Sequence, residues 1–410
     1  MNKLLLIIFL CISTYAYKSY SMKFGNDSEI EILKYSSNSK NLLIMLPSEH
    51  GITDGLKTLA KDINQKNTEV WIADPFSSFF LIPASSSLKK IPIESYVQII
   101  KEAQKTKKNI YLFSNDKGAS VLLDAAHKWQ TISSNIISGV ILVSPDLYKK
   151  TPKAGDEGSL LPVTKITNLP ISIFVPEKST LNLRVNKLDH ALKVSGSDVV
   201  LNSIKNVRNR FFFREDASDN EKKFSNTFSS DIIKSMNNIK KYAKKRDVAA
   251  INTKKVTKEK KTTGMLNDYT GKLTIQDFTL KDLSNNTHSL SQYKGKVVLL
   301  NFWASWCPPC VHEMPSMSQL SAKFKNKPFS ILALNLGESS QSMQKFINKY
   351  HIKFPILLDP GKSQAKKWNV YAFPTSFIID KKGKIRYSIA GGFDWNTQEA
   401  IDIITTLTKE

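Results

Sequence analysis

The sequence predicts an α/β protein in which two strand-and-helix regions are joined by a lysine-rich segment. Three observations indicate this architecture. Short apolar segments alternate with helical patterns along most of the 410 residues. The composition changes sharply near residue 214. An almost uninterrupted apolar strand, Val297–Trp303, leads directly into a pair of cysteines. A chain of this length is expected to form two or three domains.

The amino-terminal residues predict a secretory signal peptide. Residues 1–3 are a short positive start, residues 4–12 are apolar, and small residues precede a cleavage site after Ala16. The apolar run is too short to span a bilayer, which needs roughly 20 apolar residues. A lipid anchor on Cys11 and an uncleaved anchor are the alternatives. Cleavage of residues 1–16 predicts an exported protein, such as a periplasmic one, that keeps two of its three cysteines.

The chain is strongly basic, with a formal net charge of +23. Such a charge suits a nucleic acid, an anionic membrane surface, or solubility alone. Because an exported protein rarely meets nucleic acid, we expect no nucleic-acid partner. Residues 240–261 contain ten lysines or arginines and only two acidic residues. This composition predicts a flexible, extended linker. The alternative is a patch, 240–261, that docks on anionic lipid headgroups.

From residue 24 to residue 214 the pattern predicts a doubly wound, mostly parallel sheet with helices on both faces. Short apolar segments bounded by polar residues are typical of buried strands, and apolar residues at helical spacing are typical of the covering helices. The predicted strands are 41–46, 69–73, 109–113, 140–143, 171–175 and 207–213, and the predicted helices are 55–65, 93–106, 117–129 and 182–194.

The turn after the third predicted strand carries the motif Ser114-x-Asp116-x-Gly118. This motif, between a strand and a helix, resembles the nucleophile elbow of α/β-hydrolases, in which small residues flank a strained turn. The loop 47–51, which contains His50, falls where that fold builds its oxyanion hole. The resemblance implies a degenerate α/β-hydrolase domain over residues 24–214.

The elbow departs from the hydrolase pattern because its central position holds Asp116 rather than a serine. An aspartate nucleophile needs a downstream histidine to activate water. The only later histidine of the region, His190, falls in a predicted helix before the final strand. Glu177 is a candidate acid, but an acid without a base supplies no hydrolysis. We therefore predict an inactive binding domain. The alternatives are an active hydrolase that uses Asp116, His50 and Glu177, and an unrelated α/β fold.

Beyond residue 214 the sequence predicts a lysine-rich helix and linker over 215–265 and a second α/β region over 266–410. Val297–Trp303 is predicted to be a central strand because it is apolar on both faces. The other predicted elements are an edge hairpin arm at 272–280, strands at 330–336, 354–358, 375–380 and 384–389, and helices at 311–324, 342–350, 364–368 and 397–407.

The cysteine pair of this region, Cys307 and Cys310, lies at the join of the central strand and a helix. Unpaired N–H groups and the positive end of the helix dipole favour the thiolate at the first cysteine. Cys307 is therefore expected to be the exposed, attacking residue, and Cys310 to resolve the mixed disulfide. A zinc half-site is one alternative, but zinc takes four ligands and the mature chain has no second cysteine pair. A structural disulfide is another, although so short a loop would add little stability.

Four segments together resemble one protein family. They are KGKVVLLNFWASWCPPC at 294–310, HEMP at 312–315, DFTLKD at 277–282 and YAFPTSFIID at 371–380. They resemble the TlpA/ResA-like branch of the thioredoxin superfamily, over residues 273–409. The resemblance implies a thioredoxin fold for 266–410 and an exported thiol–disulfide oxidoreductase, usually a reductant, without a cofactor or metal. It also implies disulfide-bearing protein substrates and a membrane thiol donor.

The resemblance further assigns roles to individual residues. Pro374 matches the family's cis-proline, which shapes the substrate groove; a trans loop proline is the alternative. Phe373 would offer its backbone to an extended substrate, and Trp306 would shield the site. Glu313 matches an acidic residue that tunes the cysteines or aids proton transfer; a solvated helix glutamate is the alternative. Asn301 stands where many thioredoxins carry a buried acid.

Overall fold

The computed structural model describes residues 17–24, 28–149, 151–248, 266–271 and 273–410. In these residues the chain forms two eight-stranded sheets. The predicted signal peptide, Cys11 and residues 249–261 of the predicted linker lie outside the described residues. Among the helices of the described ranges, none combines the length and the apolar character needed to span a bilayer.

The first sheet has the strand order β1-β2-β4-β3-β5-β6-β7-β8. Strands β3 to β8 are parallel to one another, whereas β1 and β2 form an antiparallel hairpin at one edge, and β2 pairs antiparallel with β4. The mostly parallel sheet is as predicted. Its strands are β1 Lys18–Phe24, β2 Ser28–Tyr35, β3 Asn41–Met45, β4 Glu69–Asp74, β5 Asn109–Asn115, β6 Gly139–Val143, β7 Ile171–Lys178 and β8 Val199–Arg208.

Helices cover both faces of the first sheet, which confirms the doubly wound prediction. One apolar core lies under α4, α5 and α6, and a second lies under α1 and α7. The helices are α1 Asp54–Gln65, α2 Pro75–Ser78, α3 Ser85–Leu88, α4 Ile93–Gln104, α5 Gly118–Ile132, α6 Leu181–Val194 and α7 Asp219–Lys240.

The predicted final strand, 207–213, is wrong in position, because β8 runs from Val199 to Arg208. β8 is an edge strand with many exposed side chains, so it lacks the apolar continuity of a buried strand. Phe211 and Phe212 instead lie in a turn, where their rings pack against Phe228 of α7. The apolar run thus belongs to the core under α7 and not to the sheet.

Helix α7 attaches the start of the predicted helix-and-linker segment to the first sheet. Phe228, Ile232 and Met236 are buried on its inner face. Beyond the helix, the Arg246 guanidinium pairs with Asp198 and donates to backbone carbonyl oxygens. The carbonyl oxygen of Asp247 also accepts from Asn168 Nδ2 at 2.6 Å, so this part of the predicted extended linker contacts the first region.

The second sheet has the order β11-β10-β14-β13-β12-β15-β16-β9. β12 is central and fully buried, as predicted. The predicted hairpin arm 272–280 pairs only from the start of β10. The strands are β9 Asn267–Asp268, β10 Thr279–Asp282, β11 Thr287–Ser289, β12 Val297–Trp303, β13 Phe329–Leu336, β14 Ile356–Asp359, β15 Thr375–Ile379 and β16 Ile385–Ala390. The helices are α8 Pro308–Lys323, α9 Ser340–Tyr350, α10 Ser363–Lys367 and α11 Gln398–Lys409.

The two regions touch through a loop that follows β6. Ala154 from this loop is buried in the same apolar cluster as Phe278 and Trp368 of the second region. Asn369 Nδ2 donates to the carbonyl oxygen of Gly155 at 3.0 Å. The first region therefore supplies part of the packing around the second sheet.

Replacement of Phe228 by alanine tests the packing of α7. We expect a loss of about 3–5 kcal/mol in the free energy of unfolding of the first region, because a fully buried ring leaves a cavity. Urea unfolding monitored by circular dichroism measures it. Phe80→Ala is the matched control, because that ring is 96% exposed. Equal stability of the two variants would contradict the packing of α7.

Candidate active site

The two cysteines lie at the start of α8, directly beyond the central strand. Cys307 is the N-cap residue, and its Sγ accepts a hydrogen bond from the backbone N–H of Cys310 at 3.4 Å. A disulfide joins the two sulfurs. Cys307 is 6% exposed and Cys310 is fully buried, while the intervening prolines are exposed. The placement at a strand–helix junction is as predicted, whereas the expectation of an exposed Cys307 is wrong, because Cys307 is buried and only slightly more exposed than Cys310.

Three loops meet at the cysteine pair. The Phe373–Pro374 peptide bond is cis, as predicted, so the trans alternative is excluded. The Trp306 ring packs edge-on against the Phe373 ring, with 5.7 Å between ring centroids. Gly391 N–H donates to the Pro374 carbonyl oxygen at 2.8 Å. Since Trp306 immediately precedes Cys307, these contacts bring the proline loop against the cysteine loop.

Glu313 is a buried carboxyl group and not a solvated helix glutamate. It is 4% exposed, accepts a hydrogen bond from Asn301 Nδ2 at 2.8 Å and another from Phe393 N–H at 3.3 Å. Asn301 Nδ2 also donates to Ser376 Oγ at 2.9 Å. Burial raises the pKa of the Glu313 carboxyl to about 7, although these hydrogen bonds act in the opposite direction. The group can therefore exchange a proton near neutral pH.

A surface groove gives Glu313 a path to solvent. The groove has a volume of about 500 Å³ and is lined by residues of α8 and of the loop after β16, among them Pro309, Glu313 and Phe393. Glu313 follows Cys310 by three residues, so the two side chains share one face of the helix. A protonatable group, the buried sulfur and solvent thus lie along one side of α8.

Glu338 is a site residue that the sequence analysis missed. Its carboxylate accepts hydrogen bonds from the backbone N–H of Ser305 at 2.7 Å and from Asn335 Nδ2 at 2.8 Å. These bonds fix the loop just before Trp306. The position of Glu338 could have been predicted from strand pairing. The parallel strands β12 and β13 end at the same edge of the sheet. The loop after β13 must then lie beside the cysteine loop.

The structure places Asp116 at the sharp turn between β5 and α5, with a φ of 44°. Its carboxylate accepts from Asn115 Nδ2 at 2.8 Å and lies 3.7 Å from Arg210 Nε. Burial raises the pKa of Asp116 to about 6, while the positive charge of Arg210 opposes this effect. The side chain is 6% exposed. Asp116 is thus buried beneath Arg210.

His50 and Glu177 occupy different places in the first region. Burial, followed by the positive charge of Arg210, lowers the pKa of His50, so His50 and Asp116 share Arg210 as a neighbour. Glu177, near the end of β7, accepts from the backbone N–H of Asn206 at 2.9 Å. Among the contacts of the described residues, none joins Glu177 to Asp116 or His50. The three predicted residues therefore do not form one catalytic group.

Comparisons with known proteins agree with this geometry. Residues 270–404 match the family described as Redoxin. The thiol-disulfide oxidoreductase ResA of Geobacillus kaustophilus is 43% identical over 118 residues, which are 29% of this chain and 68% of that protein. ResA of Halalkalibacterium halodurans is 33% identical over 133 residues, 32% of this chain and 74% of that protein. The crystal structure of StoA from Bacillus subtilis is 26% identical, with a TM-score of 0.29, and covers 34% of this chain and 100% of that chain.

A cysteine pair at the start of a helix, beside a cis-proline loop on this sheet, defines a thiol–disulfide oxidoreductase with a thioredoxin fold. The similarity lies in the carboxyl-terminal third of the chain. Through that part, the chain belongs to the ResA family of thiol–disulfide oxidoreductases. The resemblance of residues 273–409 is therefore confirmed, whereas the α/β-hydrolase resemblance of residues 24–214 stays a prediction.

Replacement of Glu313 by glutamine tests the buried carboxyl group. Because the pKa of Glu313 is about 7 in the folded protein against an ordinary 4.5, the folded protein keeps a proton that the unfolded chain has released. The stability that this proton provides is lost as pH rises from 4.5 to about 7. We expect Glu313→Gln to become more stable relative to the unsubstituted protein as pH rises through this window, by about 3 kcal/mol in the free energy of unfolding.

Chemical denaturation of the oxidised proteins across this pH range measures the difference, since the disulfide keeps the two sulfurs from titrating. Glu399→Gln on α11 is the matched control, because it removes one exposed carboxylate. A difference between Glu313→Gln and the unsubstituted protein that stays constant with pH would show that Glu313 does not hold its proton.

Proposed function

We propose that this protein is an exported protein-disulfide reductase. The observation that carries the proposal is the position of Cys307 at the N-cap of α8, where the N–H of Cys310 points at its sulfur. A helix start favours the negative charge of a thiolate. The more exposed of the two sulfurs is therefore also the one that is better stabilised for attack.

The reaction has two exchange steps. The Cys307 thiolate attacks one sulfur of the substrate disulfide, forms a mixed disulfide and releases the first substrate thiolate. The Cys310 sulfur then attacks the Cys307 sulfur, which releases the second substrate thiolate and leaves the Cys307–Cys310 disulfide. Two electrons pass from the enzyme dithiol to the substrate. Both steps need only the two sulfurs, so no cofactor or metal takes part.

Glu313 has the properties of a proton acceptor for the second step. Cys310 must lose a proton before it can attack, and it is fully buried. The Glu313 carboxyl lies on the same face of α8, and burial raises its pKa to about 7. A carboxylate with this pKa takes up a proton at neutral pH more readily than an ordinary glutamate does.

The loops around the pair form the substrate groove of the proposal. Phe373 and Pro374 offer backbone groups to an extended chain, as the family relation implies. The Trp306 ring packs edge-on against the Phe373 ring. In the proposal it covers one side of the cysteine pair. Substrates are proteins that carry disulfides, and the oxidised enzyme is recharged by a membrane thiol donor. These partners rest on the family relation alone.

Export and membrane contact are supported by the sequence. Residues 1–16 have the pattern of a cleavable signal peptide, with an uncleaved anchor as the alternative, so the compartment we propose is the periplasm or its equivalent. The basic segment 240–261 would lie close to anionic lipid headgroups near a membrane donor. The domain division that we propose is 1–16, 24–214, 215–265 and 266–410, and the region 24–214 binds a substrate or partner.

A hydrolase activity of the first region has less support. Asp116 is buried beneath Arg210, and the contacts described for it include no histidine. An aspartate nucleophile without a histidine to activate water completes no hydrolysis. We therefore assign binding, and not catalysis, to the first region.

Replacement of each cysteine by serine tests the two exchange steps. Cys307→Ser should abolish reduction of insulin disulfides, because the attacking sulfur is lost. Cys310→Ser should accumulate mixed disulfides with substrate, because the resolving sulfur is lost. Turbidity of precipitating insulin chains measures the first effect, and non-reducing electrophoresis measures the second. Full activity of Cys307→Ser would refute the mechanism.

The direction of electron transfer is tested by the reduction potential of the cysteine pair. We expect a potential near or below about −250 mV, beside thioredoxin, because the pair acts as a reductant. Equilibration with glutathione buffers, followed by alkylation of free thiols and mass spectrometry, measures it. A potential of about −120 to −180 mV would place the protein among oxidants and isomerases and would contradict the reductase proposal.

A further inference from the structure

The first region contacts the loop that leads into the cis-proline. The Arg184 guanidinium from α6 lies against two neighbouring tyrosine rings, 4.2 Å from the centroid of Tyr148 and 5.5 Å from that of Tyr371, and the two ring centroids are 6.2 Å apart. Tyr148 follows β6, whereas Tyr371 lies three residues before Pro374. A guanidinium on an aromatic face is attracted by the ring electrons, and more strongly when water is excluded. This stack joins the first region to the substrate side of the oxidoreductase site.

A second contact fixes the loop 151–158 of the first region against the second sheet. Gly155, with a φ of +84°, lets the loop pass close to the Tyr269 side chain, where a Cβ atom would approach the hydroxyl oxygen to 2.7 Å. Its carbonyl oxygen accepts from Asn369. Ala154 is buried at the same place. Ala154 and Gly155 therefore hold the loop against the second region.

The positioned loop leaves a groove between the two regions. The groove has a volume of about 400 Å³ and lies between residues 151–154 of the first region and the end of β16. Glycine, alanine, serine and threonine make up about half of the lining, and Lys153, Tyr269 and Ile389 line it as well. The lining residues used in this argument are Thr151, Ala154, Thr270, Ser388, Ala390 and Gly391.

The end of β16 connects the groove to the cis-proline loop. Gly391, which lines it, donates its N–H to the carbonyl oxygen of Pro374 at 2.8 Å. Ala390 is the register partner of Thr375, the residue after the cis-proline. The next glycine, Gly392, lies beside Pro309 between the two cysteines. A polypeptide that crosses the cis-proline loop can thus pass over Gly391 into the groove.

We propose that this groove binds the polypeptide segment that adjoins the substrate's disulfide, so that the first region selects the substrates of the reductase. The proposal rests on the reductase function proposed above. Small lining residues leave room for a backbone, and the hydroxyl groups of Thr151, Thr270 and Ser388 offer hydrogen bonds to its peptide groups. An extended segment therefore fits this groove better than a folded surface does.

Thr151→Trp fills the groove from an exposed position and tests the proposal. Both probes are mixed disulfides of thionitrobenzoate. The first is formed with free cysteine, and the second with the single cysteine of an extended peptide of about ten residues. The reduced full-length protein releases coloured thionitrobenzoate from both in a single turnover, and KM here denotes the probe concentration that gives half of the maximal single-turnover rate. We expect the variant to raise KM about tenfold for the peptide, about 1.4 kcal/mol, and to leave the cysteine probe unchanged.

Thr131→Trp on α5 is the matched control, because it adds the same ring at an exposed threonine outside the groove. It should leave the KM of both probes unchanged. If the unsubstituted protein does not react with the cysteine probe, the reductase function fails. If it reacts with both probes but Thr151→Trp alters neither or alters both equally, the groove proposal is overturned while the reductase function stands.

Arg184→Met provides a second, independent variant. It removes the cation that contacts the two tyrosine rings and keeps most of the apolar stem. If the stack positions the groove, the KM of the peptide probe should rise while the cysteine probe and the reduction potential stay unchanged. Arg184→Lys, which retains a positive charge, should recover part of the loss. An unchanged KM in Arg184→Met would show that the stack does not position the groove.

Discussion

Pairing of strand β12 at the centre of the second sheet is the constraint on which the active site depends. All seven of its side chains are buried, so a one-residue shift of register would exchange the side chains that face the two cores. β12 is parallel to β13 and antiparallel to β15, so the ends of β12 and β13 and the start of β15 lie at one edge of the sheet. Cys307, Glu338 and Pro374 come from the loops at that edge. Backbone pairing therefore brings together residues that are far apart in the sequence.

How much of the site the sequence predicts depends on whether a local pattern marks each residue. Cys307 and Cys310 follow an apolar strand and begin a helix, and Pro374 lies in a recognisable motif, so these positions are predictable. No local sequence motif identifies Glu338, because its contact with the cysteine loop arises from the pairing of β13 with β12. In the fold, buried parallel strands were predictable from their apolar runs. The edge strand β8 was not, because only two of its ten side chains are buried, while the aromatic run beside it packs under α7.

A buried ionisable group is costly, and its retention beside a reactive cysteine pair is informative. Glu313 is buried without a cationic partner among its described contacts, and its hydrogen bonds from Asn301 and Phe393 do not offset the loss of hydration. A leucine in this position would pack at lower cost. This cost is consistent with the role that we propose for Glu313 in the second exchange step, in which a buried thiol must give up its proton.

Two ways of attaching a binding region to an oxidoreductase have different consequences. A flexible tether raises the local concentration of bound substrates but leaves the catalytic groove unaltered. A region that packs against the cis-proline loop, as Arg184 and Tyr148 do around Tyr371, can instead supply a wall of that groove. The reduction potential is set within the second region, by the helix start and the groups near Cys307. Under the groove proposal, substrate selection and reduction potential are controlled by separate sets of residues, so either can change without altering the other.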